Sequence, residues 1–153
     1  MTYDGAMTRP QPGDPAPAFS LETDEGAIVS NESLAGRRYV LYFYPKDDTP
    51  GCTVEACEFR DANETITERG ADVWGISPQG SASKRKFREK FGLPFTLLSD
   101  PDRKVMEAYG AYGEKTMYGK KVTGVIRSTF VVDENGVLEV AQYDVTPSGH
   151  VTS

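Results

Sequence analysis

Cys52 and Cys57 are the only thiols in a chain of 153 residues, five positions apart behind a Thr-Pro-Gly turn in "PKDDTPGCTVEAC". A thiol does its chemistry as the thiolate, which attacks electrophiles and binds soft metals. Cys52 follows an apolar run and a turn, and it precedes or opens a helical pattern. The unsatisfied N–H groups of a first helical turn, with the positive end of the helix dipole, favour the thiolate there and lower the thiol pKa. Gly51 lets the backbone come close, so that its N–H and that of Cys52 can cradle an anionic or peroxidic oxygen. Thr49 offers a hydroxyl at the turn. Pro45 and Pro50 stiffen the loop and withhold N–H groups, which limits water near the sulfur.

The spacing adds a second constraint. In one intact helix, five positions give a rise of ~7.5 Å and a rotation of ~140°, which sets the Cα atoms ~8.6 Å apart. A disulfide needs roughly 4.4–6.8 Å. A Cys52–Cys57 bond therefore requires the first turns of the helix to melt, and the pair reads as a switch between reduced helix and oxidised, locally unfolded chain. Other uses of the two thiols fit less well. A structural zinc site wants four ligands, and the chain offers two Cys and a distant His150. A redox C-x-x-C pair has two intervening residues, not four. Inert packing of a buried thiol stays open, more for Cys57 than for Cys52.

Around this segment the periodicities alternate. "AFSL" and "GAIVS" read as short strands about the turn "ETDEG", and Tyr39–Tyr44 is a continuous apolar and aromatic run suited to a strand covered on both faces. Residues 53–69 carry a helical pattern that Gly70 ends. "ADVWGIS" is a strand, and "SASKRKFREKFG" a helix opened by Ser81 or Ser83 and closed by Gly92. "PFTLLSD" is a strand, "PDRKVMEAYG" a short helix, and "VIRSTFVVDENGVLEVAQYD" a hairpin turning at Asp133–Gly136. The order β-β-β-α-β-α-β-α-β-β predicts an α/β fold: a thioredoxin-like sandwich with a central mixed β-sheet flanked by helices, or a doubly wound relative.

Composition bounds the partners. A net charge of -6 argues against nucleic acid and acidic membrane surfaces, since phosphate contacts need clustered Lys and Arg. The basic cluster Lys84–Lys90 reads as a solvated helix face with Phe87 and Phe91 turned inward, and Lys46, Asp47 and Asp48 as solvated loop charges. No apolar run reaches the ~20 residues that span a bilayer. The Pro- and Gly-rich start lacks a hydrophobic signal segment. Residues 1–12 are expected to be a disordered tail, with fraying to about Pro17, and 13–153 one domain in the cytoplasm.

"PKDDTPGCTVEACEFRD", "GLPFTLLSDPD" (Gly92–Asp102) and "GVIRSTFVVDENG" (Gly124–Gly136), in that order, closely resemble segments of the peroxiredoxins, most closely the bacterioferritin comigratory protein, or PrxQ, branch. The resemblance implies that Cys52 is the peroxidatic nucleophile, attacking a hydroperoxide and becoming a sulfenic acid. It implies that Thr49 and the backbone at Gly51 and Cys52 position the peroxide, that Arg127 stabilises thiolate and developing charge, that Pro45 shields the sulfur, and that Glu55 orients Arg127. Cys57 would resolve the sulfenic acid as an intramolecular disulfide, reduced by thioredoxin or a similar dithiol. No metal, flavin or haem is implied, and a monomer is favoured over a dimer. One departure is "GHVTS" (Gly149–Ser153), where the family's closing helix is expected to be short or missing. A redox sensor using the same disulfide switch toward a partner, and a general thiol-disulfide oxidoreductase, are the competing functions. Thr49 and Arg127 favour the peroxidase, because plain disulfide exchange needs no pocket for a peroxide oxygen.

Overall fold

The computed structural model describes residues 10–143 apart from Lys46, Asp48, Thr49, Arg69 and Tyr118, and only the backbone of Pro50, Glu64, Lys115, Thr116, Met117, Lys120, Lys121 and Val122. In chain order the elements are β1 (Ser20–Thr23), β2 (Ile28–Ser30), β3 (Arg38–Phe43), α1 (Pro50–Glu68), β4 (Ala71–Ser77), α2 (Ser81–Phe91) and β5 (Thr96–Ser99). They continue with α3 (Lys104–Ala108), β6 (Tyr112–Met117), β7 (Lys120–Val125), β8 (Ser128–Val132) and β9 (Leu138–Gln142).

Seven strands form one mixed sheet in the order β2-β1-β5-β4-β3-β8-β9. β3, β4 and β5 run parallel, as their helical crossovers α1 and α2 require. β8 joins β3 antiparallel, with Ser128 opposite Phe43, so β8 starts where β3 ends. The apolar run of β3 is buried on both faces. Leu41 and Phe43 enter one cluster with Met106, Tyr109 and Phe130. Val40, Tyr42 and, just past the strand, Tyr44 enter the other with Cys52, Ala56, Phe59 and Phe87. Alternation along the chain thus splits five neighbouring residues between two cores, with α1 and α2 on one side and α3 on the other.

The sequence reading differs from the structure at several joints. α1 starts at Pro50, not Thr53, because proline's fixed φ and missing N–H suit the first helical position. Gly70 (φ 80°) ends the helical stretch and Gly92 (φ 60°) closes α2 in the left-handed conformation, as expected. The cap of α2 is Gly80, without a side-chain hydrogen bond, rather than Ser81 or Ser83. Both hydroxyls are used elsewhere: Ser81 donates to Glu22 and Ser83 to Asp47. A separate two-stranded ribbon, β6 with β7, has no counterpart in the sequence pattern, because its Lys, Thr and Gly residues carry no apolar alternation. β7 ends at Val125, so Ile126 and Arg127 form a junction rather than part of a strand. The Ile126 N–H turns to Ala111 O at 2.6 Å, and Ser128 Oγ donates to Ile126 O at 2.8 Å.

Pro10–Pro17, where fraying is expected, is docked against the start of β9 and the turn before it. Gly13 N–H donates to Leu138 O (2.8 Å), Leu138 N–H to Asp14 O (2.9 Å) and Ala16 N–H to Gly136 O (2.9 Å). Tyr143 and Tyr109 hold Pro10 O and Pro17 O through their hydroxyls. The expected disorder of residues 1–9 and the shortened "GHVTS" end lie outside the described residues.

Gly75 of β4 lies opposite Tyr42. A Cβ there would meet Tyr42 Cζ at 2.8 Å and Leu97 Cδ2 at 2.9 Å, both in close-packed core. Gly75→Ala is expected to destabilise the protein by about 1–3 kcal/mol. Urea unfolding reads this as a lower midpoint, and an unchanged midpoint would show that the Tyr42 ring has room to yield.

Candidate active site around Cys52

β3 delivers the chain to the carboxyl end of the parallel strands, the usual place for a site in an α/β sheet. From there the loop after Pro45, which is half-buried, leads into α1. Cys52 is the third residue of α1 and only 1% exposed, packed in the cluster of Val40, Tyr42, Tyr44, Ala56 and Phe59. Gly51 lies beside it in the first turn, where backbone N–H groups have no partner within the helix. Thr49 lies outside the described residues.

Arg127 reaches the same point from the other side of β3. Its position just ahead of β8 sets it beside the end of β3, across from α1. One guanidinium serves two groups: Nη2 donates to Cys52 Sγ at 3.2 Å, and Nη1 to Glu55 Oε1 at 2.7 Å. Glu55 is three residues after Cys52, on the same side of the helix, and wholly buried. Burial pushes its carboxyl up to about 7 although Arg127 pulls the other way, because one guanidinium shared with a sulfur does not make up for lost water. Burial lowers the pKa of Arg127 itself, yet Cys52 and Glu55 together leave it raised. Glu55 Oε2 and the Tyr42 hydroxyl are buried with no hydrogen-bond partner among the described residues.

Cys57 is half-buried on the same helix, and neither sulfur is bonded to the other. With both in α1, the helical separation of ~8.6 Å applies, and the thiols face different sides. Of the residues expected at the site, the structure brings Cys52, Arg127, Glu55, Gly51 and Pro45 to one end of β3, and leaves Cys57 one and a half turns away.

Two residues read as solvated charges are corrected. Lys84 is fully buried and Asp47 only 6% exposed. Their charged atoms face each other at 3.5 Å, Asp47 in the loop that precedes α1 and Lys84 in α2. A signal for Lys84 was present: positions 84, 87 and 91 share one helical stripe, and Phe87 and Phe91 mark that stripe as inward. Asp47 sits in a loop, where no such periodicity helps.

Residues 12–141 match the AhpC/TSA family. A putative peroxiredoxin of Mycobacterium tuberculosis is 57% identical over 144 residues, covering 94% of this chain and 92% of the relative. Peroxiredoxin Bcp of Escherichia coli is 44% identical over 138 residues, covering 90% and 88%. Among solved structures, the Xanthomonas campestris bacterioferritin comigratory protein, whose trapped intermediate and ligand complexes concern alkyl peroxide reduction, superposes with a TM-score of 0.82. It is 36% identical and covers 88% of this chain and 85% of its own.

The raised Glu55 carboxyl has a consequence for stability. Between its ordinary value of 4.5 and about 7, the folded protein keeps a proton that the unfolded chain has released, so stability falls as pH rises through that window. Gln keeps the acceptor oxygen toward Arg127 but cannot ionise. Glu55→Gln is expected to gain on the parent across this window, by on the order of 3 kcal/mol. Urea unfolding of both proteins at several pH values measures it, and parallel curves would refute it.

Proposed function

The chain belongs to the AhpC/TSA family as a peroxiredoxin of the Bcp, or PrxQ, branch, and on that footing we propose that Cys52 is the sulfur at which it reduces peroxides. It is a thiol peroxidase, an enzyme that reduces a peroxide at the expense of thiols. The observation that carries the assignment of Cys52 is the Arg127 guanidinium held 3.2 Å from its sulfur and 2.7 Å from Glu55. A cation held in place by the buried Glu55 side chain favours a thiolate and faces the charge that develops as the O–O bond breaks.

In the proposed sequence the Cys52 thiolate attacks the terminal oxygen of hydrogen peroxide or an organic hydroperoxide. Sulfur gains that oxygen as a sulfenic acid, and the remaining oxygen leaves as water or alcohol after taking up a proton. Glu55 orients Arg127, and Pro45 shields the sulfur. The resemblance assigns peroxide positioning to Thr49 and to the backbone at Gly51 and Cys52. Cys57 then attacks the sulfenic sulfur, a disulfide forms and water leaves. Because α1 holds the two thiols too far apart, this step needs its first turns to open. Thioredoxin or a similar dithiol takes the disulfide back to two thiols and is itself oxidised.

Peroxide consumption with thioredoxin and its reductase tests this reading. Sustained turnover is expected, whereas a sensor would show one stoichiometric oxidation. Cys52→Ser should abolish consumption. Cys57→Ser should keep the fast first oxidation and lose recycling. One equivalent of peroxide should remove two hydrogens by mass and yield a linked Cys52–Cys57 peptide. Equal loss of the first oxidation in both variants would overturn the assignment of roles.

A further inference from the structure

If Cys52 must leave its pocket to meet Cys57, whatever holds the loop ahead of it governs that departure. The loop is fastened through Asp47. Its Oδ1 accepts from the Tyr44 hydroxyl at 2.5 Å, its Oδ2 from Ser83 Oγ at 2.8 Å, and its N–H donates to Gln79 Oε1 at 2.6 Å. Lys84 Nζ lies 3.5 Å from Oδ1, donates to Ser77 Oγ, approaches the Tyr44 hydroxyl at 3.3 Å and stands 5.1 Å from the centre of the Tyr44 ring. These contacts run to the end of β3, to the end of β4 and to α2.

α2 is a firm post for such a fastening. Arg88 clamps both oxygens of the buried Asp24 at 3.2 and 3.1 Å, and Asp24 also accepts from Leu97 N–H on β5. The α1 residue Arg60 donates to Phe91 O at the far end of α2 at 2.8 Å. The body of α1 and all of α2 are therefore tied together, and Asp47 fastens the chain ahead of Cys52 to the same α2.

An exposed lysine would solubilise α2 at less cost. Burial drags the Lys84 ammonium down to about 8, against the pull of Asp47, Asp24 and the Cys52 sulfur. Buried ion pairs add little net stability, but removing one partner leaves an uncompensated charge, so they hold one geometry against others.

We propose that the Asp47–Lys84 pair is a latch that holds the loop ahead of Cys52 against α2, and that its release sets how readily Cys52 swings out to bond Cys57. The two act as positioning residues through the loop. The inference rests on the roles given above to Cys52 and Cys57. With the latch closed, the sulfur stays beside Arg127 and is open to repeated attack by peroxide. With it open, the sulfenic acid reaches Cys57 before a second peroxide carries it to sulfinic acid.

Lys84→Met removes the charge and keeps an unbranched apolar chain of similar length. Tyr44→Phe removes one donor to Asp47 and leaves both charges near the sulfur. For each variant, stopped-flow oxidation gives the rate of sulfenic acid formation and of disulfide formation, and mass spectrometry at excess peroxide gives the sulfinic fraction. Disulfide formation is expected to rise about tenfold in Lys84→Met, the effect of losing one charge-assisted hydrogen bond. It should rise by a smaller factor in Tyr44→Phe, and the sulfinic fraction should fall in both. First oxidation should stay level or slow. A merely structural role would lower the melting temperature and slow both steps together, which would overturn the latch. Should Lys84→Met fail to fold, Tyr44→Phe decides alone, and an unchanged disulfide rate and sulfinic fraction in it reject the proposal. A parent protein that never links Cys52 to Cys57 rejects the underlying roles. A parent that does, with variants that link at the same rate, rejects only the latch.

Discussion

One guanidinium divided between a sulfur and a carboxylate organises this site. Arg127 can serve Cys52 and Glu55 together only because they lie three residues apart on α1, and because β8 begins beside the end of β3. The register of an antiparallel strand pair and the pitch of a helix therefore meet at one point. The arrangement is dry, with Glu55 and Cys52 both essentially without solvent contact. Low polarity strengthens each attraction and also makes each unpaired charge costly, so the three groups must keep their geometry together.

Two sets of charges bracket the start of α1. Glu55 and Arg127 stand on the β8 side, Asp47 and Lys84 on the α2 side, with Tyr42 and Tyr44 stacked between them at 5.4 Å. Burial moves Glu55 up to about 7 and Lys84 down to about 8, each toward its neutral form, and each is held back by its partner. The body of α1 shows none of this tension. It packs through Ala56 and Phe59, with the Phe59 ring stacked on Tyr42 at 4.5 Å. The apolar body of the helix and its charge-flanked start are thus separate by construction.

Much of this was legible in advance. The doubly buried run of β3, α1 up to its glycine stop and the hairpin at Asp133–Gly136 all follow from period and turn chemistry. Asp133 Oδ1 accepts from the N–H groups of Asn135 and Val137 in that turn, the local bonding that favours Asp there. Cys52 stood out by its turn and helix start, whereas Arg127 and Glu55 came from a resemblance, since a lone Arg in an apolar stretch has no signature of its own. What failed was the reading of charge as exposure. Lys84 and Asp47 are partners 37 positions apart, and their burial is a tertiary fact that neither neighbourhood states. The β6–β7 ribbon was missed for a similar reason, as its order comes from backbone pairing and not from an apolar face.

The docked segment from Pro10 to Pro17 bears on how the molecule avoids its own kind. An outer strand offers a row of free amide and carbonyl groups on which another chain can polymerise. Here β9 would be such a rail, but where it begins Pro15 bridges Val137, and the flanking residues take up backbone groups of Gly136 and Leu138. Proline lacks the N–H to extend the ladder outward, so the cover is itself a poor template. The opposite margin, β2, is three residues long. A segment that composition marks as slack thus occupies the first rung of that edge.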